Sequence, residues 1–241
     1  MTDTLYGLTP YANHSRTEMG FTNFQWVLPG KVARSSQPGY TGHDGVQKIS
    51  MVQVMFLKTK GIRCIISANE YGIDTDSQNN LTKANIAYHH YSVKDMRAPS
   101  QFQLQNAADR MQQAISGGGG VLVYCGYGQG RTGTFVTAWA MLKYFAAADG
   151  KRKLSRNEMC NSKFLSDNFG VEKAHQVAAI RAVVALPDAE PATAGDSVRD
   201  SNSWTPAFIG SAGMGQPDAT GTVLQFANFN GGGSGLSDVK F

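Results

Sequence analysis

Residues Val121 to Phe135 read VLVYCGYGQGRTGTF: a short apolar run, a lone cysteine, a glycine at every second position, an arginine, and the start of a helix-forming segment. VLVY has the continuous apolar character of a central parallel strand covered on both faces. If the strand ends at Tyr124 and the helix begins near Arg131, the residues between must turn within one compact loop. Gly126, Gly128 and Gly130 free that backbone for positive φ and leave room for a bound group. Successive N–H groups then converge into an anion-binding nest, to which the helix N-terminus adds its positive dipole end. A tetrahedral oxyanion such as a phosphoryl group fits this cradle, lined by Gly126, Tyr127, Gly128, Gln129 and Gly130. Arg131 offers a planar fork for two of its oxygens. Cys125 sits at the base, where the same dipoles favour its thiolate and make it a nucleophile.

Outward from this loop, strands alternate with helices, which indicates an α/β domain built on a central, mainly parallel sheet flanked by helices. FQWV and KVAR flank Leu28-Pro29-Gly30 and predict a short hairpin. VQKISMVQVMFLKTK carries apolar residues mostly at helical spacing and stops at Gly61. IRCII, IAYHHYSV and VLVY are the strand candidates that follow. Helices are expected around Leu81 to Ala84, over Gln101 to Ile115, over Thr134 to Ala148 and over Val171 to Leu186. Ser155-Arg156-Asn157-Glu158 has the pattern of a capping box. Residues 1–20 form an arm without clear periodicity, 21–186 the domain, and 187–241 an extension rich in Ala, Gly, Ser, Asp and Pro.

The segment Cys125-x-x-Gly128-x-Gly130-Arg131-Thr132-Gly133-Thr134-Phe135 resembles the signature loop of the cysteine-dependent protein tyrosine phosphatases, His-Cys-x-x-Gly-x-x-Arg-Ser/Thr. Val32-Ala33-Arg34-Ser35-Ser36-Gln37-Pro38 is similar to an Arg-Ser-x-Gln-Pro element of small dual-specificity-like members, and the likeness spans roughly 21–186. The resemblance implies a two-step phosphatase without metal or cofactor, acting on a phosphorylated protein or small phosphorylated substrate. In it Cys125 is the nucleophile, Arg131 and the loop amides hold the phosphoryl oxygens, and Thr132 hydrogen-bonds the sulfur. A general acid is expected on an upstream loop. Val93-Lys94-Asp95-Met96-Arg97-Ala98-Pro99 lies there, thirty residues before Cys125, which nominates Asp95; its alternative reading is a cap for a helix starting near Ser100. Where the family has histidine before the nucleophile, this chain has Tyr124.

The remaining features narrow the function classes. The chain has 241 residues, 41% of them hydrophobic, enough for one domain with extensions. Its 22 basic and 18 acidic residues leave a modest positive balance that suits an anionic substrate and contains no dense basic run to indicate nucleic acid. Three widely spaced cysteines make neither a disulfide framework nor a zinc site, and Cys64 and Cys160 read as small buried hydrophobes. The opening residues lack a signal-peptide pattern and no stretch is apolar enough to span a membrane, so a cytoplasmic protein is the simplest expectation, with export by another route open. Substrate class stays open between phosphotyrosine, phosphoserine or phosphothreonine, and inositol phosphates, the last suggested by Lys94 and Arg97. Rival functions for such a loop are a phospho-ligand-binding module without turnover and sulfur-transfer or arsenate-reducing chemistry.

Overall fold

A computed structural model describes residues 6–146 and 154–185. The expected extension over 187–241 lies outside the described residues. Five strands form the main sheet: β3 (Gln25–Leu28), β4 (Val32–Ser36), β5 (Ile62–Ser67), β6 (Ala87–His90) and β7 (Gly120–Cys125), in the order β3-β4-β7-β5-β6. Only the β3–β4 pair is antiparallel. Two short strands, β1 (Thr17–Glu18) and β2 (Phe21–Thr22), pair separately. The hairpin read around Pro29-Gly30 is β3–β4, with Gly30 at φ +68 and the Lys31 amide donating to Leu28 O at 2.9 Å.

Parallel strands need cover on both faces, and the helices provide it. They are α1 (Met51–Thr59), α2 (Thr75–Lys83), α3 (Gln101–Ser116), α4 (Gly130–Trp139), α5 (Arg156–Met159), α6 (Ser162–Phe169) and α7 (Ala174–Val183). Side chains along β7 alternate between two cores. Val121, Val123 and Cys125 face a cluster with Leu104, Met111, Phe135 and Ile180, whereas Leu122 and Tyr124 face Val54, Leu57 and Leu81. The nucleophile candidate and the tyrosine before it therefore lie on opposite faces.

Several boundaries differ from the sequence reading for local reasons. The first helix begins at Met51 because Ser50 and Gln53 form a capping box; Val46 is exposed and Ile49 is buried ahead of the cap. The segment after α4 widens over Ala140–Tyr144, where the Phe145 amide reaches back to Ala140 O at 2.7 Å. The expected helix there thus ends its regular part at Trp139. In the last third, Gly170 adopts φ +70 and closes α6, so α7 starts only at Ala174. The Ser155–Glu158 box caps α5 as read. No helix among the described residues is long and apolar enough to cross a membrane.

All of α4 is buried, and it follows directly from the loop after β7. Its close approach to α6 depends on Gly133, where a Cβ would be driven into the carbonyl oxygen of Phe169. Gly133→Ala is expected to cost about 1–3 kcal/mol, read as a lower urea midpoint. An unchanged midpoint would mean that the two helices separate freely.

Candidate active site

Cys125 ends β7 and is buried. The carbonyls of the loop that follows all find donors on the protein side. The Gln37 amide donates to Cys125 O (2.6 Å) and Gly126 O (3.0 Å). Asn23 Nδ2 donates to Tyr127 O at 3.3 Å. Arg34 Nη2 donates to Gly128 O (2.8 Å) and Gln129 O (3.4 Å). Every peptide here is trans, and in a trans unit the C=O and the following N–H point in opposite directions. Five carbonyls held outward therefore turn the amides of Gly126, Tyr127, Gly128, Gln129 and Gly130 the other way, which is the nest expected from the sequence. Gly128, at φ +90, lies where any Cβ would collide with the Ser35 carbonyl.

Arg34 is fully enclosed. Besides the loop carbonyls it donates from Nη1 to Phe169 O at 2.6 Å, and its guanidinium lies 4.2 Å from the centroid of the Tyr11 ring. Burial pulls its pKa down to about 10, opposed by the phenol of Tyr11, Cys125 and Glu172. It therefore stays charged at neutral pH behind the loop. Tyr11 belongs to the N-terminal arm, and its own pKa is pushed up to about 12 by burial. Its hydroxyl also reaches Gln129 Oε1 at 3.2 Å.

Arg131 occupies the front of the loop. Nη1 and Nη2 donate to Asp44 Oδ2 (2.6 Å) and Oδ1 (2.9 Å), a two-point pair with both side chains nearly enclosed. Nη1 also donates to Val93 O at 2.9 Å, and Nη2 to Asp95 Oδ1 at 2.7 Å. Burial works against its charge, but the Asp44 hydrogen bonds and the attraction of Cys125 outweigh that and hold its pKa above the usual arginine value. Asp95 is the open member of this group, its side chain 58% exposed against 4% for Arg131. The helix-cap alternative for Asp95 is not what forms: α3 is capped by Ser100 and Gln103.

Cys125, Arg131 and Asp95 line one cavity of about 310 Å³ together with Tyr40, Tyr127 and Glu172. The rings of Tyr40 and Tyr127 stand 5.9 Å apart, tilted by 57°. Among the described residues Thr132 Oγ1 is buried with no hydrogen-bond partner, so the bond to the Cys125 sulfur that the resemblance implies is not formed in this structure. Tyr124 does not touch this cavity. Its hydroxyl donates to Gln47 Oε1 at 3.4 Å, inside the segment that presents Asp44, and burial holds its pKa well above 10.

Of the residues nominated from the sequence, Cys125, Asp95, Arg131, Tyr127, Gln129 and Gly130 share the cavity lining, whereas Gly126, Gly128 and Thr132 are not in it; Asp44, Tyr40 and Glu172 were not nominated. Asp44 stands 87 positions from Arg131 in a polar loop with no periodic signal. Glu172 was absorbed into an expected helix, although it lies in the turn before α7 and accepts the Gly130 amide at 3.0 Å. Arg34 was visible in the Arg-Ser-x-Gln-Pro element, but its task was not.

Residues 42–144 match a family model described as "Tc-R-P: Polymorphic toxin system, DSP-PTPase phosphatase". Among solved structures, Tk-PTP in its active form is 20% identical, with a TM-score of 0.46 over 65% of this chain and 92% of that one. Human DUSP28 is 15% identical, with a TM-score of 0.48 over 71% and 97%. Human tyrosine phosphatase-like serine/threonine/tyrosine-interacting protein is likewise 15% identical, with a TM-score of 0.48 over 67% and 95%.

The Asp44–Arg131 pair carries its own test. Asp44→Asn leaves a buried guanidinium short of its counter-charge, a loss of about 3–5 kcal/mol for an enclosed pair. Urea unfolding is expected to show it, and a change below about 1 kcal/mol would mean that water or Asp95 compensates.

Proposed function

We propose that this chain, whose residues 42–144 match a family model of dual-specificity-type phosphatases, hydrolyses phosphate monoesters through a phosphocysteine on Cys125. Phosphotyrosine is the substrate we assign first. One observation carries the reading: donors behind the loop hold the five carbonyls from Cys125 to Gln129, which turns the amides that follow them away from those donors, beside the cavity that Cys125 and Arg131 line.

In the first step Cys125 Sγ attacks phosphorus opposite the ester oxygen. The S–P bond forms as the P–O bond breaks, and Asp95 gives its proton to the departing oxygen. The inward amides and Arg131 hold the equatorial oxygens, where charge collects in the transition state. Asp95 Oδ1 accepts from Arg131 Nη2 at 2.7 Å, a donor that a phosphoryl oxygen would take over as the carboxyl turns to the leaving group. Water then attacks the phosphocysteine, with Asp95 accepting its proton, and inorganic phosphate leaves. Thr132 Oγ1, otherwise unpartnered, donates to the sulfur as it departs.

Tyr40 and Tyr127, in contact with each other at the wall of the cavity, support an aromatic ester, since a phenyl ring can pack against that aromatic wall. The matched family's description adds a setting, and we carry it over as part of the proposal: the chain acts as a phosphatase within a polymorphic toxin system.

Rapid quenching with a labelled phosphotyrosine peptide is expected to trap phosphate on Cys125, and failure to find it there would remove the covalent mechanism. Cys125→Ser should abolish turnover while keeping peptide binding. Asp95→Ala should slow phosphotyrosine hydrolysis by about 10²–10⁴ and para-nitrophenyl phosphate much less, because that leaving group departs without a proton. Equal losses on both substrates would send the acid role elsewhere.

A further inference from the structure

The charges around the cavity bear on which phosphate esters can reach Arg131. Arg131 is the one cation that lines it among the described residues. Asp44 already takes two of its hydrogen bonds and Asp95 a third. The second guanidinium, Arg34, is turned to the back of the loop and is not offered to a substrate. Lys94 and Arg97, whose positions beside Asp95 suggested a welcome for polyphosphates, are exposed and lie outside the lining, as does Lys173.

Glu172 is a further carboxylate of the lining. Its Oε2 sits 3.0 Å from the Gly130 N–H, one of the inward amides, so a carboxylate stands where a phosphoryl oxygen would bind. Gly130 makes room for it, because a Cβ there would press on that carboxylate. The turn carrying Glu172 is fixed. Gln176 Oε1 accepts from the Glu172 (3.1 Å) and Lys173 (3.2 Å) amides, and Gln176 Nε2 donates to Arg97 O at 3.3 Å. His175 Nε2 meets Met96 O at 2.7 Å, tying the same turn to the loop of Asp95. A substrate that displaces Glu172 from the amide therefore leaves its charge at the mouth. Asp95 is paired with Arg131, which leaves Glu172 as the carboxylate of the lining that is held by a backbone amide.

Resting on the phosphatase reading, we propose that Glu172 is a specificity-determining residue. It admits a monophosphate on an aromatic ring and turns away substrates with a second anionic group beside the reacting one, inositol polyphosphates and acid-flanked phosphotyrosines among them. One like charge about 6 Å away, at an effective dielectric between those of protein surface and water, amounts to about a ten-fold difference in kcat/KM.

The test compares three phosphotyrosine peptides of equal length, flanked by Asp, Ala or Lys, together with an inositol trisphosphate. For the wild type we expect the Lys- and Ala-flanked peptides to exceed the Asp-flanked one by about ten-fold, with the inositol trisphosphate lowest. Glu172→Gln keeps an acceptor for the Gly130 amide without the charge, and should shrink the Ala-to-Asp ratio toward unity. A preference for the Asp-flanked peptide, as exposed lysines at the rim would produce, overturns the proposal, as does an unchanged ratio in Glu172→Gln. If no peptide is turned over, the phosphatase reading fails; binding of the same peptides by fluorescence anisotropy then decides the filter by the same ratios.

Discussion

A carbonyl held outward commits the next amide to point inward, and five consecutive peptide units after Cys125 are held in that way. The donors behind them come from three places: the Gln37 amide, the Asn23 side chain and the guanidinium of Arg34. Arg34 is the expensive member, since an enclosed cation loses its hydration. The loop carbonyls and the face of Tyr11 offset that cost without a hydrogen-bonded carboxylate, leaving the charge available to the loop. A nest built this way is organised before any ligand arrives, the condition under which electrostatic stabilisation of a transition state is most effective.

The α/β fold supplies these donors through its strand order. β4 and β5 flank β7, so the residues just past their ends surround Cys125, the usual location for a site in an open parallel sheet. β4 brings Arg34 and leads to Gln37, while β5 leads to Ala68, whose carbonyl also accepts from Arg131. The alternation of β7 sends Tyr124 to the opposite core, where it holds Gln47 and steadies the segment bearing Asp44. Tyr124 thus acts on the site at a distance, through the loop that positions the arginine's counter-ion.

The sheet, its parallel character and the nucleophile loop were legible in the sequence because each rests on local pattern. VLVY is a continuous apolar run, and the glycines and Arg131 follow at fixed spacing. Asp95 was legible through its place after β6. Asp44, Tyr40 and Glu172 were not, since each joins the site through contacts between residues far apart in the chain, and none carries a periodic or motif signal of its own. Glu172 was also hidden by Gly170, whose left-handed conformation ends one helix and delays the next.

The arm before the first periodic signal has a structural task as well. Leu8 is buried, the Thr9 amide donates to Val27 O at 2.8 Å, and the Tyr11 amide donates to Asn168 O at 2.9 Å. The ring of Tyr11 is thereby seated as a roof tile over Arg34. A fragment cut at Phe21 would keep every residue that lines the cavity and yet strip the aromatic cover from Arg34, so the smallest unit with a closed wall behind the loop starts upstream of the main sheet's first strand.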